Sequence, residues 1–426
     1  MQYELLDRLR CPVCKSGTFQ AEATHETEVR YATARIREIV EGRVVCAGCT
    51  ATFPVEQYVL SFAELLEPAV RADGAYWGSY YRRLYDHGVT GFLDTHAPPA
   101  PFLASGILKT LPFDGTEWQG PHTELAAHPW VKSGGLVVDV GVGSGWSSLF
   151  LARRGFQVIG FDPALELMQL AKQYAIAQGV ALEYVCADLS GFHMQPASVD
   201  AVFALHSLHH VPDLYAGLAQ IHTMLREGGC LALDDHYQDP PLLALLRHGI
   251  LLEAEDRIFP AYRDSAVRPE PPESHSANEG VGMGQLLPAI EQYLHIDEIE
   301  YRHIALDFVG PLYYLQQQCD PAALQVATEI TDLIKRGMQR VWPEQVEYLT
   351  LLAQKRATLP ACPRFAPGPR DPMIGLHAQL AAQERELARL HAAVAAKDQH
   401  IRRLESLLAR IENGLLMRLL RRFGRS

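Results

Sequence analysis

The chain has 426 residues, 48% of them hydrophobic, a formal net charge of −12 and a pI near 5.8. That length predicts about two to four domains, and the acidity argues against a broad nucleic-acid surface, which needs a basic patch. No run of eighteen apolar residues exists and Met1–Arg10 lacks an apolar signal core, so neither a spanning helix nor export is expected and the cytoplasm is the expected compartment.

In a reducing compartment, cysteines in spaced pairs read as metal ligands rather than disulfides. Two such pairs stand near the start, Cys11-Pro12-Val13-Cys14 and Cys46-Ala47-Gly48-Cys49. A C-x-x-C turn presents two sulfurs to one ion, and Zn²⁺ takes four thiolates tetrahedrally. The alternative is four buried thiols. Residues 15–45 make a gap longer than a usual ribbon spacing, with candidate extra strands at Thr27–Tyr31 and Ile36–Val45. With the flanks Leu5–Arg10 and Phe53–Val55, residues 1–62 resemble the Trm112-like zinc-ribbon domain. The resemblance implies a structural zinc on Cys11, Cys14, Cys46 and Cys49, with no open position for chemistry.

Residues 63–130 read as a helical lid or linker. Tyr76 to Tyr85 is dense in aromatics on an expected helix, and Ala97–Pro101 marks a loop. Tyr80 or Tyr81 closes over a ligand, or the stripe packs as core.

Next comes Leu136-Val137-Val138-Asp139-Val140, an apolar run ending beside an acid, then Gly141-Val142-Gly143-Ser144-Gly145 and a helix-like stretch from Trp146 to Arg154. This reads as a buried strand, a tight turn and a helix start. A dinucleotide fingerprint needs a third glycine where Trp146 stands, and the Gly-Lys-Ser/Thr of a phosphate loop is absent. Gln157–Asp162 and Leu182–Asp188 read as two further strands, each ending in an acid. Val199–Val211 and Leu225–Leu233 supply a fourth and a fifth. Strands alternating with helices predict an α/β fold with a parallel sheet covered on both faces.

These motifs, in this order from Val131 to about Leu315, resemble the class I S-adenosylmethionine (SAM)-dependent methyltransferases, with their Rossmann-like sheet. The resemblance implies SAM as cofactor, held by Asp139, Gly141, Val142, Gly143, Gly145, Asp162, Pro163, Asp188, Leu189 and Tyr81. Asp162 is expected to accept the ribose hydroxyls, Asp188 and the Leu189 N–H to meet the adenine, and Asp139 to orient the methionine ammonium. Each acid has a competing reading as a helix cap or turn residue.

A long irregular insertion runs over Ala254–Gly284, where such loops are functional or disordered. Tyr293–Phe308 reads as two final strands, Ala322–Leu359 as helical, and Pro360–Pro372 as a proline-rich linker, so residues 131–315 and 316–372 form a methyltransferase domain and its extension. Leu380, Leu387, Val394, Ile401, Leu408 and Leu415 recur every seventh position, with Leu376, Gln383, Leu390, Lys397, Leu404 and Ile411 as the second seam. Such heptads predict a coiled coil over 373–415 and a homo-oligomer; a helix packed on its own domain is the alternative. The basic tail, 416–426, is either an interfacial membrane helix or a solvated end.

For a hydroxyl acceptor a general base helps, and histidine suits neutral pH. His206 after the fourth strand and His236 after the fifth are the candidates; His209-His210 reads as structural. The Asn/Asp-Pro-Pro-Tyr/Phe motif of amino-group methyltransferases is missing, with Ala204-Leu205-His206-Ser207 in its place. The expectation is O-methylation of a sugar, glycan or small-molecule hydroxyl. The alternatives are an RNA or protein methyltransferase, suggested by the Trm112-like domain, and a non-catalytic scaffold joined by its coiled coil.

Overall fold

The computed structural model describes residues 1–15, 18–86, 123–211, 213–236, 286–302, 340, 348–357 and 397. Met1–Arg370 forms one compact unit and Asp371–Ser426 a second, of which only Lys397 is described. The insertion at 254–284, the linker at 360–372, the tail at 416–426 and all of the expected coiled coil at 373–415 except Lys397 therefore lie outside the described residues. Among the described residues no helix is long and apolar enough to cross a membrane.

Among the described residues the first unit is built on an eleven-stranded sheet in the order β1-β2-β3-β4-β7-β6-β5-β8-β9-β11-β10. Its centre is parallel: β5 (Leu136–Val140), β6 (Gln157–Asp162), β7 (Glu183–Cys186), β8 (Val199–Leu205) and β9 (Leu225–His236). Every residue of β5 and of β8 is buried. This is why these strands read as continuous apolar runs: both faces are covered and no polar alternation survives. The covering helices are α2 (Pro68–Asp86), α3 (Trp146–Arg153), α4 (Leu165–Ala177), α5 (Leu214–Met224) and α6 (Leu286–Tyr293), after a short α1 at Glu4–Arg8. Strands β6 and β7 lie to one side of β5, and β8 and β9 to the other. The order thus reverses between β5 and β8, and a crevice opens at the carboxyl ends of those two strands.

The N-terminal segment is not a detached module. Strands β1 (Phe19–Arg30), β2 (Arg35–Cys46), β3 (Thr52–Glu56) and β4 (Val59–Ser61) form an antiparallel meander, and β4 then runs parallel to β7, pairing Leu60 with Val185 and Ser61 with Cys186. The junction carries a buried ionic knot. Lys172 of α4 is 1% exposed and places Nζ 2.8 Å from Glu183 Oε1, 3.1 Å from Glu38 Oε2 and 2.7 Å from the Leu182 carbonyl. Burial alone would lower the lysine pKa, but the two carboxylates outweigh it and hold the ammonium above its ordinary value.

Two expectations are corrected. The stretch Ala322–Leu359 is not helical throughout: Tyr348–Gln354 is strand β11, antiparallel to β9 and to β10. Its side chains alternate between the two faces, with Leu349, Leu351 and Ala353 in one core cluster and Leu352 in the other. A leucine run buried on both faces cannot be told from a buried helix by periodicity. Likewise the described part of Tyr293–Phe308, up to Arg302, supplies one strand, and residues 303–308 lie outside the described residues. Helix α6 ends at Tyr293, β10 spans His295–Arg302, and its partner is β11. The sheet thus takes a strand from beyond residue 315.

Candidate functional site

The glycine loop lies at the carboxyl end of β5. Gly141, Gly143 and Gly145 have φ of +65°, +54° and +90°, the left-handed region that penalises a Cβ. Two of them are also tightly packed. A Cβ on Gly141 would stand 2.4 Å from Ser207 Cβ, and one on Gly145 2.6 Å from Ala171 Cβ. Gly143 differs, since a Cβ there meets nothing within 4 Å. Its open side is a cradle that a ligand can enter and a side chain would fill. Val142 is 2% exposed and packs its Cγ2 over Gly160 of β6, fixing the loop from behind.

The three acids stand at the ends of adjacent strands or just beyond. Asp139 is 1% exposed; its Oδ2 accepts from Ser147 Oγ at 2.7 Å and Ser148 Oγ at 2.6 Å, while Oδ1 is buried with no hydrogen-bond partner among the described residues. Burial pushes its pKa up to about 6 against the pull of the two hydroxyls. A buried acceptor left unpaired is costly and marks where a cationic or N–H donor fits. Ser207 Oγ, buried beside Gly141, is likewise without a partner among the described residues. Asp162 accepts the Gly143 N–H on Oδ2 and the Ala164 N–H on Oδ1, both at 2.9 Å, and burial raises its pKa. The competing turn reading of Asp162 is realised, while the helix cap falls on Ala164, and each carboxylate oxygen still has a second lone pair for a hydroxyl. Asp188 bonds the Gly191 N–H at 2.7 Å and Ser190 Oγ at 2.8 Å. Leu189 is buried against Gly217 of α5.

Helix α2 covers this end of β6. Gly74 brings its backbone against Pro163, where a Cβ would lie 2.8 Å from the Pro163 carbonyl. Tyr80 and Tyr81 pack on Ala164, Leu167 and Leu170. Burial lifts the Tyr81 pKa to about 12, and the Asp162 charge adds to the rise. The same aromatic stripe is thus core packing and a wall beside Asp162.

On the other side of the crevice, β8 ends at Leu205 and His206 turns into the left-handed region at φ +58°. Its N–H donates to the Asp234 carbonyl at 2.7 Å, and its Nε2 lies 3.5 Å from Asp234 Oδ2. His209 and His210 follow in a 3₁₀ turn. His209 Nδ1 is 2.5 Å from the fully buried Asp235, whose Oδ2 accepts the N–H groups of Leu208 and His209. Burial, reinforced by His209, pushes the His210 pKa down to about 3 and keeps it neutral. His236 is the last residue of β9, in register with Tyr348. Sequence reasoning singled out none of Ser147, Ser148, Ser207 and Thr350. The adjacent serines after the glycine loop were the available signal for the first two.

Far along the sheet the four cysteines converge. All four Sγ atoms lie within 4.8 Å of one another, with Cys11 to Cys49 at 3.6 Å and Cys14 to Cys46 at 3.7 Å. Four sulfurs about 2.3 Å from a tetrahedral ion stand about 3.8 Å apart, so the donor set and its spacing both fit zinc.

A family model described as a methyltransferase domain matches residues 138–233. A ubiquinone biosynthesis O-methyltransferase of Xanthomonas euvesicatoria pv. vesicatoria (strain 85-10) is 32% identical over 165 residues, covering 36% of this chain and 69% of the relative. Its namesake from Aeromonas salmonicida (strain A449) is 36% identical over 118 residues, 26% of this chain and 50% of the relative. Among solved structures, the geranyl diphosphate C-methyltransferase from Streptomyces coelicolor A3(2) aligns at a TM-score of 0.41 and 15% identity, over 68% of this chain and 98% of that one.

Proposed function

The chain belongs to the class I SAM-dependent methyltransferases, and on that premise we propose that it methylates a hydroxyl oxygen with His206 as general base. The carrying observation is His206 itself, at the end of β8 across the strand-order switch from the glycine loop, in a strained left-handed backbone and within ion-pair range of buried Asp234. Strain of this kind persists where the surroundings impose it, commonly at sites of function. The curated relatives are named O-methyltransferases, which favours oxygen as the acceptor atom without pointing to the sugar or glycan of the sequence reading.

SAM supplies an activated methyl group on a sulfonium. In this reading Gly143 presents its open side and its neighbours' backbone to the cofactor, Asp139 Oδ1 takes the ammonium, and Asp162 takes the ribose. Asp188 and Leu189 face the adenine, while Pro163 and Tyr81 line the wall. Held by these residues, SAM would supply its methyl group to the acceptor oxygen, with its sulfur leaving as a neutral thioether. His206 takes the hydroxyl proton and later releases it to water. His236 is the second candidate for the same role. Away from this site, the reading has Cys11, Cys14, Cys46 and Cys49 hold a structural Zn²⁺ and residues 373–415 join copies of the chain, with the basic tail at 416–426 either meeting the membrane surface or standing as a solvated end.

Incubation with methyl-labelled SAM and a panel of phenolic, sugar and amine probes tests the acceptor. The expected product carries its label on oxygen, and label confined to nitrogen or carbon refutes the reading. His206→Ala should cost roughly 10²–10⁴ in turnover while leaving SAM affinity unchanged. Elemental analysis of protein purified without chelator should return about one zinc per chain, and its absence refutes the metal assignment.

A further inference from the structure

We propose that Ser207 selects the intact amino-acid end of SAM, its hydroxyl donating to the methionine carboxylate; this rests on the reading that Asp139 takes the ammonium. Ser207 is 5% exposed, and its Oγ is buried with no hydrogen-bond partner among the described residues. It stands just before the 3₁₀ turn Leu208–His210, where a serine hydroxyl ordinarily caps the N–H groups that follow. Other groups take that duty here. Asp235 Oδ2 accepts the N–H groups of Leu208 and His209, and the Ser207 carbonyl accepts that of His210 at 3.2 Å. The hydroxyl makes no capping bond and lies against the glycine loop, 3.2 Å from where a Cβ on Gly141 would stand. A buried hydroxyl kept out of its local hydrogen bond is costly unless a ligand completes it.

The order of the sheet indicates which part of the ligand reaches it. Strands β7, β6, β5 and β8 are consecutive neighbours. At or just beyond their carboxyl ends stand, in the same order, Asp188, Asp162, Gly141 and Ser207. Three strand spacings, about 14 Å, separate the first strand from the last. With the adenine at Asp188, the ribose at Asp162 and the ammonium at Asp139, the next group toward β8 is the carboxylate, which shares a carbon with the ammonium. Asp139 Oδ1 can only accept when ionised, and a hydroxyl can donate. The two unpaired atoms, one from the strand leading into Gly141 and one packed on Gly141, thus complement the two charges of a zwitterion. A ligand without the carboxylate leaves the hydroxyl unpaired, and a site built to bond a group rejects the analogue that lacks it.

Calorimetry on the full-length protein at pH 8 tests this with three probes. These are SAM, decarboxylated SAM, which keeps the ammonium, and 5′-methylthioadenosine, which keeps neither charge. The native protein should prefer SAM to decarboxylated SAM by about 10- to 100-fold, and Ser207→Ala should lose that preference by weakening SAM alone. Asp139→Asn should weaken SAM and decarboxylated SAM alike and spare methylthioadenosine. Melting without cofactor gives the second readout: Ser207→Ala should keep or raise the Tm, because a hydroxyl without a partner contributes no bond to the fold. Native SAM affinity in Ser207→Ala, an equal loss for decarboxylated SAM, or a lowered cofactor-free Tm overturns the inference and leaves the ammonium reading standing. Native SAM affinity in Asp139→Asn overturns the ammonium reading and the inference with it.

Discussion

Replacing Asp139 by asparagine should stabilise the cofactor-free protein and weaken its hold on SAM. Burial moves the Asp139 pKa from an ordinary value near 3.9 up to about 6. The folded state therefore keeps a proton that the unfolded chain has already lost. The contribution to stability is complete below about pH 4, falls as pH rises to about 6 and is constant above. About two pH units at 1.36 kcal/mol each make this a cost of about 3 kcal/mol at neutral pH. Asparagine has the same shape, carries no charge, and can accept from Ser147 and Ser148 through its Oδ1. Thermal unfolding without SAM at pH 7 should show Asp139→Asn more stable by about 1–3 kcal/mol, roughly 3–9 °C for a domain of this class, with the gain shrinking toward pH 4. Calorimetry with SAM should show the opposite order. Native affinity should fall about tenfold between pH 8 and pH 5, as the carboxylate that meets the ammonium is protonated, and the variant should bind weakly with no such slope from this group. A variant less stable than the native protein at pH 7, or a native affinity that stays flat across that range, would refute the reasoning.

Lys172→Met leaves Glu38 and Glu183 facing each other in the buried junction and should cost about 3–5 kcal/mol in denaturant unfolding at pH 7. Part of that loss should return as pH falls and the carboxylates protonate, or when Glu38→Gln and Glu183→Gln are added. The glycine loop separates stability from binding. Gly141→Ala meets Ser207 at 2.4 Å and should lose both the fold's stability and SAM, whereas Gly143→Ala meets open space. Gly143→Ala should pay only about 1–2 kcal/mol for its backbone conformation while losing most of its SAM affinity, read by melting and calorimetry side by side.

The parallel core was legible because its strands carry local signatures: apolar runs, glycines at alternate positions, and acids where the strands end. The same locality explains the misses. Tyr348–Gln354 has no turn signal or polar alternation to mark it, and its conformation is decided by the slot between β9 and β10. Asp234 and Asp235 look equivalent in sequence. Only the register across β8, β9 and β11 assigns one to His206 and the other to His209. Lys172 reads as one more helix charge until Glu38, far away in the chain, is brought to it by β4 pairing with β7.

The additions to the parallel core bear on the site from opposite flanks. On one side β4 pairs with β7 up to Cys186, and the Phe62 N–H donates to the Cys186 carbonyl at 2.8 Å, two residues before Asp188. On the other side β11 brings Thr350 to Asp234. An edge strand frays, and a strand bonded on both sides does not. The pairing with β4 keeps β7 from being an edge, and β11 does the same for β9. The acid proposed for the adenine therefore follows a strand held on both sides, and the carboxylate beside His206 lies on another. Disturbing the cysteine cluster should accordingly reach the adenine side of the pocket through β4 before it reaches His206, which is anchored from the opposite edge.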